Sequence, residues 1–207
     1  MNVNKLARLL AAAALCSSAA VQAQSSWDGV GNFSIGANAN GAWSYRVRAA
    51  DGSLSLMGYS NANCRGTPGL ACWNTDAGDW DLPMIGLNTT GAEIVFPSGV
   101  VPLSSLHMHP GADGDRPVLT FTAPATDWYR VTGQFQMVDR TPTGVQVLVS
   151  QDATTLVDKP LTLFGQTVQF NLKRKLNAGQ TINFSVDAAG NFANDSTELK
   201  VGVLRLN

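Results

Sequence analysis

Tyr129-Arg130-Val131-Thr132-Gly133-Gln134-Phe135-Gln136-Met137 is the stretch that decides the fold. Large apolar side chains fall at every second position apart from Gly133, and polar ones fill the gaps. A period of two is what a strand shows when one face is buried and the other is wet. The same beat returns at Val145, Val147 and Val149, after the Thr141-Pro142-Thr143-Gly144 turn. It returns again at Val168, Phe170 and Leu172, at Ile182, Phe184 and Val186, and at Leu199, Val201 and Val203. Leu119 and Phe121 form a shorter inward pair before Ala123-Pro124. Turn residues punctuate these runs at Asn40-Gly41, Asp51-Gly52, Ala178-Gly179 and Ala189-Gly190-Asn191. Beyond the first two dozen residues no window carries a helical stripe. The pattern predicts an all-β chain, an antiparallel sandwich or barrel.

Toward the N-terminus the beat loosens. Strands are expected at residues 44–48, 54–57, 83–87 and 93–96, with a long Gly/Asn/Asp-rich loop over residues 59–82. Loops of that length in a compact domain carry function or elaborate an edge. Residues 1–23 read as an export signal. Lys5 and Arg8 open it, an apolar run follows from Leu9 to Val21, and Val21-Gln22-Ala23 sets cleavage before Gln24. The apolar run is short for a membrane span, and no second one follows. The expected mature chain, residues 24–207, is one exported domain, with a periplasmic or extracellular destination.

Removing the leader leaves 12 basic against 15 acidic residues. A charge of about −3 offers no general basic surface for nucleic acid and no electrostatic membrane anchor. Two cysteines remain, Cys64 and Cys72, and an oxidising compartment predicts a disulfide across the seven residues between them. A zinc site is the weaker reading, because only His107 and His109 could join two thiolates.

Several segments in order resemble a largely uncharacterised family of exported bacterial domains. They are Asn40-Gly41-Ala42-Trp43-Ser44-Tyr45, Leu106 to Gly111, Thr120 to Pro124, Tyr129 to Phe135, Ala178 to Phe184 and Asn194-Asp195-Ser196-Thr197. The family pattern is an NGxWSY opening, an LHPG centre, an aGdtIdF segment and a closing DST. The resemblance spans about residues 28–205 and implies a jelly-roll sandwich like that of carbohydrate-binding modules. Many members carry a C-terminal sorting signal, which this sequence lacks, and the segment bearing Cys64, Cys72, Trp73 and Trp80 departs from the pattern.

Sugar rings present apolar C–H faces, and binding sites answer with aromatic planes beside hydrogen-bonding side chains. Cys72-Trp73-Asn74-Thr75-Asp76-Ala77-Gly78-Asp79-Trp80-Asp81 has that composition. Trp73 and Trp80 are the expected stacking surfaces, with Asn74, Asp76 and Asp79 as hydrogen-bonding partners; the competing reading puts the tryptophans in the core. Trp43 and Tyr45 share a strand face and are expected to pack inside. Trp128 precedes Tyr129 and must face the opposite way, which makes it a candidate exposed platform.

His107 and His109 would project from one side of a strand, but a cupin-like metal site wants a third histidine. The simpler expectation is that His109 bonds backbone at the Pro110-Gly111 turn. Structural calcium is the better metal candidate, with Asp113, Asp115 and Asp195 as ligands; ordinary turn hydrogen bonding is the alternative. No nucleophile elbow is present. Asp76 with Asp79 could serve glycoside hydrolysis, and His107 with Arg116 could serve a lyase acting on uronates. The leading expectation is a non-catalytic module that contacts polysaccharide or cell-surface glycan. A structural or protein-interaction component of the matrix or envelope comes second, and an enzyme third.

Overall fold

The computed structural model describes residues 25–75 and 82–206, the side chain of Asp113 excepted. The proposed export signal and Asp76, Asp79 and Trp80 therefore lie outside the described residues. Sixteen strands occur among them, and every pairing is antiparallel.

The centre is built from the last eight: β9 (Leu106–His109), β10 (Arg116–Thr122), β11 (Asp127–Met137), β12 (Val145–Gln151), β13 (Thr154–Leu161), β14 (Thr167–Leu176), β15 (Thr181–Asp187) and β16 (Thr197–Leu206). One sheet runs β14-β11-β16-β9 and the other β13-β12-β15-β10. This is the eight-stranded order of a jelly roll, two interleaved Greek keys. The earlier strands extend it. β2 (Trp43–Arg48) and β3 (Leu54–Leu56) continue the second sheet beyond β10. β6 (Met84–Asn88), β5 (Leu70–Asn74) and β4 (Tyr59–Asn61) continue the first beyond β9. β1 (Ser26–Asp28) pairs with the far end of β16, and β7 (Ile94–Val95) with β8 (Val100–Val101) makes a separate hairpin.

Alternation does what the sequence predicts. Tyr129, Val131, Phe135 and Met137 meet Val145, Val147, Val149, Ile182, Phe184, Leu119 and Phe121 across the sandwich, all buried. Trp43 and Tyr45 join them from β2, as expected. Gly133 interrupts the apolar series for a steric reason. A Cβ there would stand 2.2 Å from the Lys200 carbonyl oxygen and 2.6 Å from the Phe170 ring, so the missing side chain is the room Phe170 occupies.

The long loop expected over residues 59–82 is a correction. It contains β4 and β5, and all five residues of β5 are buried. Trp73 faces the main core, while Leu70 and Cys72 face a second small core with Cys64, Met84 and Val101. A strand covered on both faces loses its alternation, which hid it among flanking glycines and prolines. Cys64 and Cys72 are disulfide-bonded. The small core lies on the outer face of the first sheet, so half of that face is covered and half is open.

Candidate functional site

Three segments that the sequence marks out separately meet at one end of the sandwich. The β9–β10 connection brings Ala112, the β15–β16 connection brings Phe192, Ala193 and Asn194, and the short turn between β4 and β5 brings Arg65. With Leu82 and His109 they enclose a pocket of about 420 Å³. Small-molecule sites span roughly 300–1,000 Å³. Four linings are apolar, Leu82, Ala112, Phe192 and Ala193, and three can hydrogen-bond, Arg65, His109 and Asn194. Phe192 is 38% exposed, a ring offered at the rim of a pocket instead of buried in a core. Arg65 and Asn194 both hold positive φ, 56° and 55°, so their side chains leave tight turns where a β-branched residue would be strained.

His109 has a defined protonation state. Its Nδ1 lies 2.7 Å from the carbonyl oxygen of Pro110, which can only accept, so Nδ1 carries the proton. Burial pushes the imidazole down from 6.5 to about 4, opposed by that bond and assisted by the nearby charges of His107 and Arg65. At neutral pH the ring is uncharged and its Nε2 is an acceptor, suited to a hydroxyl donor. The backbone role expected for His109 at the Pro110-Gly111 turn is present.

The wall behind the pocket is held by Asp195. Its Oδ1 accepts the Gly144 N–H at 2.9 Å, and its Oδ2 lies 3.0 Å from Thr143 Oγ1. Thr143 Oγ1 is also 2.8 Å from the Asn191 carbonyl oxygen and 2.9 Å from that of Ala193. The Thr143 hydroxyl proton is shared among these three acceptors. Burial raises the Asp195 carboxyl to about 6, opposed by the hydrogen bonds it accepts from Gly144 and Thr143. Asp139 stands nearby, its Oδ2 accepting the Ser196 N–H at 2.6 Å and its buried Oδ1 without a hydrogen-bond partner.

Several sequence expectations are revised by this geometry. Trp73 does not offer a stacking face: it is 7% exposed, its ring lies on Tyr45, and its Nε1 donates to the Ser34 carbonyl at 2.7 Å. Asn74 is buried beside the disulfide, with Nδ2 3.7 Å from Cys72 Sγ, and does not face a ligand. Trp128 is 45% exposed on the outer face of the first sheet, remote in register from the pocket strands, with the Lys173 ammonium 5.1 Å from its ring centre. Of the three proposed calcium ligands, the side chain of Asp113 lies outside the described residues, and the other two are engaged within the protein. Asp195 accepts hydrogen bonds from the protein's own donors, Asp115 Oδ1 accepts from the Ala50 N–H at 3.2 Å, and no group of three or more His, Cys, Asp or Glu suited to a metal occurs among the described residues.

The lyase pairing of His107 with Arg116 also fails on geometry. His107 faces outward from the first sheet, buried under the small core, and Arg116 faces outward from the second, 2.8 Å from Asp187. His107 Nδ1 instead donates to Glu198 Oε1 at 2.5 Å, while Ser105 Oγ donates to Glu198 Oε2 at 2.7 Å. The carboxylate sits between serine and imidazole, so the serine proton goes to glutamate. That is a buried structural network, not a nucleophile beside its base.

No catalogued family model matches the chain, and no curated protein sequence does. The motif resemblance over residues 28–205 thus has no family model behind it. Solved structures of similar architecture do exist. One is a family 51 carbohydrate-binding module from Clostridium perfringens in complex with methyl-galactose, with 12% identity, 72% of this chain and 90% of that chain covered, and a TM-score of 0.37. Another is a family 35 carbohydrate-binding module from Clostridium thermocellum, at 12% identity, 59% and 88% coverage and a TM-score of 0.33. A third is an adhesin domain of Lys-gingipain from Porphyromonas gingivalis, at 12% identity, 89% and 100% coverage and a TM-score of 0.45. What these chains share with the present one is a β-sandwich. No helix among the described residues is long and apolar enough to cross a membrane.

Proposed function

We propose that the protein is a non-catalytic carbohydrate-binding module whose site is the pocket between the disulfide turn and the β15–β16 connection. The observation that carries this reading is the lining itself. A rim aromatic, Phe192, stands with Leu82 and Ala112 to meet the C–H face of a sugar ring. Arg65 supplies fixed donors, His109 an acceptor at Nε2, and Asn194 one of each. Among the described residues the lining is of groups that hold a hydroxylated ligand, an aromatic edge beside hydrogen-bond donors and acceptors, with no carboxylate pair or hydroxyl nucleophile. Export by the N-terminal signal belongs to the same reading, since glycan ligands of this kind lie outside the cell.

The test is a glycan array followed by calorimetry on the best ligand, with Phe192→Ala and Asn194→Ala alongside the parent protein. Each variant should weaken binding at least tenfold, about 1.4 kcal/mol, while melting within a few degrees of the parent. Unchanged affinity in both variants places the ligand elsewhere and removes the pocket from the account.

A second reading draws on Leu163 and Phe164, which stand 67% and 56% exposed at the β13–β14 turn. Adjacent exposed apolar residues at a loop tip favour a protein-interaction role. Light scattering that shows self-association abolished by Leu163→Ser/Phe164→Ser, with no glycan bound, would support it.

A further inference from the structure

The outer face of the first sheet is open over β14, β11 and β16, and its register can be read row by row. Trp128 stands between Lys175 and Leu206, and in the next row Arg130 stands between Lys173 and Leu204. Two rows further on, Gln134 stands between Gln169 and Lys200. Arg130, Lys173, Lys175 and Lys200 are all exposed, and none forms an ion pair among the described residues. No carboxylate occurs among the outward residues of these three strands over the rows from Trp128 to Gln134; β1 adds one at the margin, Asp28. The protein as a whole carries a net charge of −1, so four unpaired cations on one face are a local excess against the overall sign. Concentrated like charge lowers stability by self-repulsion, and a bound counter-charge relieves it.

We propose that this face binds an acidic polysaccharide, a chain of uronate sugars, at a site separate from the end pocket. Three features select that occupant. The surface is a sheet face of extended strands, which suits an extended polymer lying across them. The cations span three row steps, roughly 20 Å at two residues per step, enough to meet several carboxylates in succession. Finally, Lys173 already covers part of the Trp128 ring. A neutral sugar must displace that ammonium to stack, whereas a uronate brings a carboxylate to it and its own C–H face to the exposed part of the indole. The glutamines and Thr132 between the charged rows supply hydrogen bonds to hydroxyls.

This inference does not depend on the pocket reading. The probe is polygalacturonate, compared with the same polymer fully methyl-esterified, so that charge changes and backbone does not. Affinity electrophoresis or calorimetry on the intact protein should show binding to the acid form only, weakening steeply as salt is raised through about 0.1–0.3 M because carboxylate counterions are released on binding. Arg130→Glu/Lys173→Glu should lose at least tenfold, with its melting temperature near the parent's because both side chains are exposed. Trp128→Ala should weaken binding at unchanged salt slope, and Phe192→Ala should bind the acid polymer like the parent. Binding of both polymer forms alike, a charge-reversed double variant that binds normally, or absence of binding overturns the proposal. So does equal affinity for duplex DNA or for anionic phospholipid vesicles, which marks mere cation exchange.

Discussion

The indole of Trp73 is stacked on the ring of Tyr45, centroids 6.1 Å apart and planes 10° from parallel. Trp73 comes from β5, a strand added beyond the jelly roll, and Tyr45 from β2 in the opposite sheet. The contact therefore fastens the extensions of the two sheets to each other. Tyr45 is held in turn, its hydroxyl buried and pushed up to about 12 and accepting the Ser34 N–H at 3.4 Å.

Trp73→Ala should accordingly behave as a core deletion. Removing a buried indole typically costs about 3–5 kcal/mol, and here the Ser34 carbonyl also loses its donor. Urea denaturation should show that loss, and any decline in glycan binding should follow the fraction unfolded. A variant of full stability with lost binding would restore Trp73 to the ligand site.

Gly133→Ala should destabilise although it adds only a methyl group. The new Cβ meets the Lys200 carbonyl and the Phe170 ring, and backbone cannot retreat as a flexible side chain can. A penalty of about 1–3 kcal/mol is expected. Pairing it with Phe170→Leu should return part of the loss if ring overlap is the cause. A double variant that is additive would assign the cost to the strand backbone.

The disulfide closes a sequence separation of 8. The loop-entropy relation gives about 2.5 kcal/mol for a ring of that size. Cys64→Ser/Cys72→Ser should lower unfolding free energy by about that amount or more, since both sulfurs sit in the small core beneath the pocket. Comparing guanidinium titrations of parent and variant measures it.

Two buried groups near the pocket give opposite pH slopes. Asp195 is raised to about 6 from 3.8, so the fold favours its protonated form. Its contribution is complete below the unfolded value and is lost as pH rises through about 6. His109 is lowered to about 4 from 6.5, so the fold favours its neutral form. Its contribution is complete above the unfolded value and is lost as pH falls through about 4. Between those limits the two offset. Asp195→Asn, which keeps an oxygen for the Gly144 N–H, should leave stability rising with pH; His109→Gln should leave it falling. Denaturation curves at about pH 4.5, 5.5 and 6.5 that are parallel for all three proteins would contradict the assignment.

Legibility in the sequence followed exposure. β11, β12, β15 and β16 have one face in the main core and the other toward solvent or polar neighbours, and their alternation announced them. β5 is buried on both faces and read as loop. β13 has only Leu161 buried and contains Pro160, the marks of an edge strand, so it gave too weak a signal to register. The pocket was harder. Arg65, His109 and Phe192 are far apart in sequence and meet only because the jelly roll returns two connections to one end and the β4–β5 turn of the extension joins them there. Phe192 did leave a trace, a lone aromatic directly after the Ala189-Gly190-Asn191 turn, where no core strand would place it. Trp73 misled for a related reason: its neighbours Asn74 and Thr75 suggested a polar loop, whereas Asn74 is buried on the strand with it.

The position of β16 carries a consequence for how the protein comes to be. It pairs along one edge with β11 and along the other with β9 and β1. It is also the last of the described strands in chain order. Until it is in place, the β11–β14 pair and the β9-β6-β5-β4 group have no common strand to join them, and both keep open edges. Half a sheet with two bare rims is a poor folding nucleus, so the first sheet is completed only when β16 docks between its two parts. The strand order that makes the finished sandwich stable is thus the same order that delays it.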